Sequence, residues 1–445
     1  MAHAEVEPPQ EQPPADKGAV PEGGAALVPP EIMAQTLPEY VRGLWLRLKS
    51  GESGMLPVIL ALIVIVIVFQ TANSKFLTAG NVINLFQQSA VFIMLGMAEV
   101  FVLLLGEIDL SIGYVGAVGG VIAVQLVQPV TTNWPWWAAI IVALIAVSLV
   151  GGAQGSFVTR LRLPSFVVTL AGLLIFNGVL LIVLAYGPFS GYPSLTGRGR
   201  NLRILYDLMW GHVTPLVGWV SMIAIVAVAG SMMFLRDERR RRSGLVAPPL
   251  SLTLIKIGFM AAIGVVLVIV CNLNRANIGT LKGVPWFVYI LLGVLAAWTF
   301  LLSRMRYGRY VYAIGGSAEA ARRAGINVTM VRTWAFVLCS LTAGIGGLLY
   351  ASWLGGMSNN VNGGQLVLYA VAAAVIGGTS LFGGRGKASH AVLGGLVIGA
   401  INNGMYLQNI HVEWQFIVTG IVLLVAVIID AVSRRGATSG SVTRV

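Results

Sequence analysis

The segment Leu105-Gly106-Glu107-Ile108-Asp109-Leu110-Ser111-Ile112-Gly113 sets two carboxylates and a hydroxyl between two apolar runs, and a third acid, Glu99, sits well inside the earlier run. A carboxylate at membrane depth is costly to bury, so each is a candidate for function. Asp109, or Ser111 in its place, can equally cap the helix-like run that follows. A third reading has Glu99, Glu107 and Asp109 relaying protons or sodium. Glu107 and Asp109 fall at an inner helix boundary, which weighs against a relay. Position alone leaves capping and function level.

A second candidate lies at Ala372-Ala373-Ala374-Val375-Ile376-Gly377-Gly378-Thr379-Ser380-Leu381-Phe382-Gly383-Gly384-Arg385-Gly386-Lys387. Its glycine pairs let backbones touch and allow a break in a helix. The glycines with Arg385 and Lys387 invite a phosphate reading, but no Gly-Lys-Ser/Thr follows a soluble strand, so nucleotide binding is excluded. The chain is expected to be no enzyme and to carry no cofactor. Cys271 and Cys339 lie in or at the edge of apolar runs without a spacing motif. They read as packing residues, and no metal site is expected.

The third stretch is Ser317-Ala318-Glu319-Ala320-Ala321-Arg322-Arg323-Ala324-Gly325, which has the marks of a very short helix. Ser317 suits the N-cap, Glu319 complements the positive end of the dipole, the arginines complement the other end, and Gly325 suits C′. So short a helix is marginal alone in water, so a membrane surface or a partner protein must hold it. Charge alone reads it as a solvated basic loop.

These stretches must be positioned by membrane helices. Of 445 residues 57% are hydrophobic and 10% charged, against about 25% charged in soluble domains. Repeated apolar runs near 20 residues mean an all-α polytopic membrane protein. Twelve spans are expected, at 55–72, 83–105, 110–128, 135–158, 165–186, 213–235, 252–272, 285–303, 331–353, 365–382, 388–406 and 413–432. The glycine-rich runs 110–128 and 365–382 are the candidates for re-entrant or broken segments. With both termini cytoplasmic, only six basic residues fall in outer loops: Lys75, Arg198, Arg200, Arg203, Arg275 and Lys282. That bias fixes the orientation. It also reads the net charge of +12 as inner loops rather than a nucleic-acid surface. Trp134, Trp136, Trp137 and Trp286 fall at outer boundaries as interfacial anchors. Arg236-Asp237-Glu238-Arg239-Arg240-Arg241-Arg242 is an inner loop facing anionic lipid.

Residues 1–40, with eight of the 18 prolines, read as a disordered cytoplasmic tail. The stretch 40–48 is amphipathic enough to lie on the membrane surface. The membrane domain covers 41–435 and a short cytoplasmic tail 436–445. In Leu163-Pro164-Ser165-Phe166-Val167-Val168-Thr169, Ser165 and Thr169 share a helix face and suit a helix contact or a polar lining.

Tyr307-Gly308-Arg309-Tyr310-Val311-Tyr312-Ala313-Ile314-Gly315-Gly316, with Glu319-Ala320-Ala321 and Gly325-Ile326-Asn327-Val328, closely resembles the coupling loop of ribose/xylose-type ABC sugar permeases of bacterial inner membranes. The acidic segment, the start of the fifth span and the 372–386 glycine run resemble the same family, and the matches cover most of 75–430. The resemblance implies that the cytoplasmic loop 304–330 docks on a separate ATP-binding subunit, with Tyr307, Gly308, Arg309, Tyr312, Gly315, Gly316, Glu319, Ala320, Ala321, Arg322 and Gly325 as coupling residues. It implies a gating or structural role for Glu107, Asp109, Ser111, Gly377, Gly378, Gly383 and Gly384. It further implies a second permease copy, a periplasmic sugar-binding protein and a xylose-like pentose or hexose as cargo.

Outside the match lies much of 187–280. Residues 187–284 read as an outer loop plus an inserted helix pair on a ten-helix core, as in the xylose permease branch. Glu99 departs from the family, which is usually uncharged there. A sugar pathway needs hydrogen-bonding side chains and aromatic faces. The candidates are Asn84, Gln87, Gln88, Tyr114, Tyr369, Asn402 and Asn403, with only one of the two glutamines expected to face it. Each also suits a helix–helix hydrogen bond. The alternative for the whole chain is an ion-coupled secondary carrier of a small polar solute.

Overall fold

The computed structural model describes residues 55–439 apart from 131, 187–192, 246 and 276–279, together with Glu39 and Arg42. The N-terminal tail and nearly all of the amphipathic stretch 40–48 lie outside the described residues. Among the described residues from Leu56 onward fifteen helices follow one another: α1 Leu56–Ala72, α2 Ala79–Leu103, α3 Ile112–Leu126, α4 Trp136–Arg160, α5 Ser165–Tyr186, α6 Arg200–Trp210, α7 Pro215–Arg242, α8 Leu250–Asn272, α9 Trp286–Arg304, α10 Arg306–Gly316, α11 Ala318–Arg323, α12 Val328–Leu354, α13 Gly363–Ile376, α14 Ala388–Leu407 and α15 Val412–Ser439. Each of the twelve apolar runs holds one of them. Helices are what such a sequence must form in lipid, because every backbone group is then satisfied within its own segment.

Among the described residues seven helices are long and apolar enough to cross a membrane: α2, α4, α5, α7, α8, α9 and α12. α3 and α13 are shorter. Their 15 and 14 residues reach about 22 and 21 Å, against a hydrocarbon core of about 30 Å. The expected span 365–382 is corrected accordingly, since α13 stops at Ile376 and Gly377–Lys387 is not helical. Gly378, Gly383 and Gly384 there have φ of +109°, +83° and +74°, a region other residues enter only with strain. The joint between α2 and α3 is irregular in the same way, with Gly106 at φ +74°.

The centre of the bundle is α2, α3, α12, α13 and α14. From Ser89 to Leu103 every residue of α2 is buried, so this span is the axis of the core. α3 lies along α12 with backbones nearly touching: a Cβ on Gly116 or Gly120 would overlap the carbonyl oxygen of Ala343 or Gly347. Close approach of this kind substitutes for hydrophobic attraction, which is weak between helices in lipid. α1, α5 and α15 flank the core. The α7–α8 pair packs chiefly on itself and meets the rest where Ile83, Val268, Cys271 and Val284 cluster. Outward-facing Leu216, Val220, Ile223, Phe259, Val266 and Leu174 stay exposed, as lipid contacts should.

Candidate functional site

A cavity of about 530 Å³ opens between α2, α12, α13, α14 and α15. α2 gives Asn84, Gln88 and Phe92, α12 gives Tyr350 and Trp353, and the following turn gives Asn360 and Asn362. α13 supplies Gln365, Leu366 and Tyr369, α14 supplies Asn402 and Tyr406, and Gln415 comes from α15. No lining residue is charged. The polar groups are already joined in a chain: Gln365 Nε2 donates to Tyr369 Oη at 2.6 Å, and Tyr369 Oη donates to Asn402 Oδ1 at 3.2 Å. Across the cavity Gln88 Nε2 donates to Asn84 Oδ1 at 3.3 Å. Phe92 meets Tyr369 edge to face at 4.8 Å between centroids, which holds the tyrosine in place.

Four of the sequence candidates, Asn84, Gln88, Tyr369 and Asn402, line this space. Three sit elsewhere. Gln87 is buried and donates to the Met209 carbonyl at 3.1 Å, Tyr114 packs against Gly363, and Asn403 is buried against Asn81, which donates to its Oδ1 at 2.8 Å. Trp353, Tyr350, Asn360, Asn362, Gln365, Tyr406 and Gln415 were not expected. Only their residue types, amides and aromatics near helix ends, hinted at a polar lining.

At the opposite end from the 355–362 turn the chain builds a three-way junction. The Gly384 amide donates to the Leu104 carbonyl at 2.9 Å, which ties the two irregular joints together. A Cβ on Gly315 would overlap both the Leu104 oxygen and the Gly384 amide. So the end of α10 is wedged where the joints meet. Tyr312 Oη donates to the Gly386 carbonyl at 2.8 Å and Tyr307 Oη to that of Val331 at 3.3 Å. Burial pushes both phenols above their ordinary pKa, so they remain donors at any physiological pH. Gly308 is buried, and a Cβ there would overlap the Leu302 backbone at the α9–α10 corner.

α11 forms within the predicted stretch. Ser317 Oγ accepts from the Ala320 amide at 3.2 Å, Gly325 takes φ +82°, and Glu319 pairs with Arg322 at 3.4 Å and Arg323 at 3.2 Å. Its one buried side chain is Ala321. Arg309, Gly316, Glu319, Ala320, Arg322 and Gly325 are exposed. α10 was not expected as a separate helix. It folds because Val311 and Ile314 bury one face while the arginines stay in water.

Glu107 and Asp109 lie in the joint between α2 and α3, at a helix boundary as their positions suggest, and Glu99 lies within α2. Asp109 is fully buried there, as are Glu99 and Ser111. Asp109 Oδ1 accepts from the Ser111 amide at 2.9 Å and from Ser111 Oγ at 2.6 Å. Glu99 Oε1 accepts from the Asp109 amide at 3.2 Å, and Gln154 Nε2 donates to Ser111 Oγ at 2.9 Å. These bonds close the turn that starts α3, and Ser111 itself makes no cap to the helix. Of these acids Glu107 is the one paired with a cation among the described residues, Arg332 at 3.4 Å. Thr169 Oγ1 donates to the carbonyls of Ser165 at 2.9 Å and Ile108 at 3.3 Å, so that face of α5 packs against the joint between α2 and α3. Cys271 and Cys339 are buried and free.

A helical bundle enclosing an uncharged polar cavity, with a short helix docked under its irregular joints, defines a polytopic membrane permease. Residues 81–427 match the family described as Branched-chain amino acid transport system / permease component, and the chain belongs to it. Among curated proteins it is 35% identical over 394 residues to the xylose transport system permease protein XylH of Escherichia coli K12, covering 87% of this chain and 94% of the relative. It is 33% identical over 402 residues to XylH of Haemophilus influenzae (87% and 99%). With the ribose import permease protein RbsC of Escherichia coli K12 it shares 28% over 373 residues (84% and 92%). By similarity the chain falls on the xylose branch of the sugar ABC permeases, multi-pass proteins of the bacterial inner membrane. No solved structure matches it significantly.

Proposed function

We propose that this chain is the membrane subunit of an importer that moves a neutral monosaccharide, xylose or a similar pentose or hexose, inward. The observation that carries this is the cavity. Its lining holds amides, phenols and an indole but no charged side chain. Hydroxyls can exchange hydrogen bonds with Asn84, Gln88, Gln365 and Asn402, while Trp353 and Tyr350 cover C–H faces. An amino acid would bring an ammonium and a carboxylate into a site with nothing to pair them, a heavy desolvation cost.

The chain works as one of two copies, each threading the membrane with twelve segments, of which the short α3 and α13 are completed by the irregular joints beside them, and with both ends inside. Separate ATP-binding subunits dock on α10 and α11, and a periplasmic sugar-binding protein delivers cargo at the outer loops. Closure of the ATPase pair pushes α10, whose Gly315 and Tyr312 bear on both irregular joints. The bundle then changes between two packings. Residues 187–284 add an outer loop and a helix pair to this core, and residues 1–40 form a cytoplasmic tail.

The test is ATP hydrolysis by the complex of this chain and its ATPase in liposomes, with binding proteins loaded with xylose, ribose or leucine. A pentose-loaded protein should stimulate hydrolysis and uptake, and collapsing the ion gradients should change neither. Stimulation by leucine alone would overturn the cargo assignment. Uptake that stops with the gradients would favour the ion-coupled carrier.

A further inference from the structure

Amides lining the cavity are held in one orientation by a chain of hydrogen bonds that starts at the backbone. The Ile398 carbonyl can only accept, and Asn402 Nδ2 donates to it at 2.9 Å. The Asn402 amide is thereby fixed with Oδ1 toward Tyr369. An amide oxygen also only accepts, so the single hydroxyl proton of the buried Tyr369 goes to it, across 3.2 Å. With that proton committed, Tyr369 Oη is an acceptor for its other neighbour, and Gln365 meets it through Nε2 at 2.6 Å. Gln365 Oε1 is left without a hydrogen-bond partner among the described residues, on a side chain that lines the cavity.

On α15, Gln415 repeats the arrangement: its Nε2 donates to the Ile410 carbonyl at 2.9 Å, which settles where its Oε1 lies. The wall built by α13, α14 and α15 therefore holds the amide oxygens of Gln365, Asn402 and Gln415 at fixed places. None can be exchanged for an N–H by turning the amide over. The opposite wall has no such anchor. Gln88 and Asn84 bond to each other at 3.3 Å, and no carbonyl decides which way either amide lies.

We propose that Tyr369 is the positioning residue for cargo selectivity. By locking Gln365 against Asn402, it makes this wall demand a hydroxyl that donates a hydrogen. A cargo atom that cannot donate leaves a desolvated amide oxygen unpaired, and that loss discriminates more strongly than a change of size in an apolar pocket. The inference rests on the reading of this cavity as the sugar path, and it adds which hydrogen-bonding sense the path selects and which residue enforces it.

Uptake into liposomes that hold the permease and its ATPase tests this, with ATP inside and saturating loaded binding protein outside. The cargoes are xylose and its analogues with one hydroxyl at a time replaced by fluorine, which is close to a hydroxyl in size but has no hydrogen to give. The binding protein is common to every permease variant, so its own preferences cancel when ratios of analogue to xylose uptake are compared. The wild type should move at least one analogue about fivefold less well than xylose, the worth of one net hydrogen bond. Tyr369→Phe keeps the ring against Phe92 but frees Gln365 to turn its N–H outward, and should bring that ratio close to unity while slowing xylose itself. Gln365→Met, which removes the oxygen at similar size, should do the same. A purely structural role for Tyr369 would lower every cargo in equal proportion, and that result would overturn the proposal, as would a wild type that moves all the analogues as fast as xylose. No xylose uptake by the wild-type complex with ATP present would overturn the cargo assignment and this proposal with it.

Discussion

Gly384 donates its backbone amide to the carbonyl of Leu104 across 280 residues of chain, and Gly315 packs where they meet. A hydrogen bond there joins the two joints that interrupt the bundle, and α10 is the only element among the described residues that touches both through a glycine. Under the proposed mechanism, α10 bears on both joints at this one point. Gly315→Val should displace α10 from the Leu104 carbonyl, at a cost of about 1–3 kcal/mol typical of overpacking. Uptake should fall at least tenfold while membrane insertion, followed by fractionation, is retained. Wild-type uptake would show that the contact transmits nothing.

The short helix α11 exposes nearly all of its surface, so the fold places little constraint on its sequence and the proposed ATPase contact is what its residues test. Gly325 at φ +82° cannot be proline, whose ring fixes φ near −65°. Glu319→Arg removes the acid that pairs with Arg322 and Arg323 and complements the helix start. Both Gly325→Pro and Glu319→Arg should abolish transport without lowering the amount of protein in the membrane. Normal uptake by the two variants would refute the lever.

Asp109 makes its turn through one carboxyl oxygen, which asparagine can reproduce. Asp109→Ala should destabilise the detergent-solubilised protein by about 1–3 kcal/mol, the cost of leaving the buried Ser111 amide unpaired. Asp109→Asn should keep thermal stability near wild type and still lower transport. Full transport by the asparagine variant would leave Asp109 a turn-forming residue and nothing more.

Within the cavity, Asn402 and Gln88 stand on opposite helices and Trp353 covers one side. Asn402→Ala and Gln88→Ala should each weaken sugar handling about fivefold, the worth of a net hydrogen bond near 1 kcal/mol. Trp353→Ala should cost more because the whole aromatic face goes. Transport assays across sugar concentrations at saturating binding protein measure this, and unaltered curves for all three would remove the cavity from the pathway.

How much of this was legible in the sequence depended on whether the signal was local. The caps of α11 were, because Ser317, Glu319 and Gly325 act within one turn of each other. Apolar runs placed the long helices for the same reason. α10 was hidden because Arg306 and Arg309 give it a loop-like charge, while Val311 and Ile314 become a buried face only when the core is present to receive them. Asp109 falls at a helix boundary, as its position suggests, but its burial was hidden, because nothing nearby reveals that residues 104–111 fold back against Glu99, Gln154 and Cys339. The cavity was half visible for a related reason. Asn84 and Gln415 are far apart in the chain, and whether Gln87 or Gln88 faces inward depends on where Met209 lies.

The central claim is that a separate ATPase, acting through α10 and α11, drives a neutral sugar through the uncharged cavity. Its most direct measurement is labelled xylose uptake into liposomes holding the permease and its ATPase, with the loaded binding protein outside and ATP inside. Uptake should require ATP and the ATPase, survive dissipation of ion gradients, and disappear with Gly315→Val. Uptake by the permease alone, or uptake lost with the gradients while ATP is present, would contradict the account.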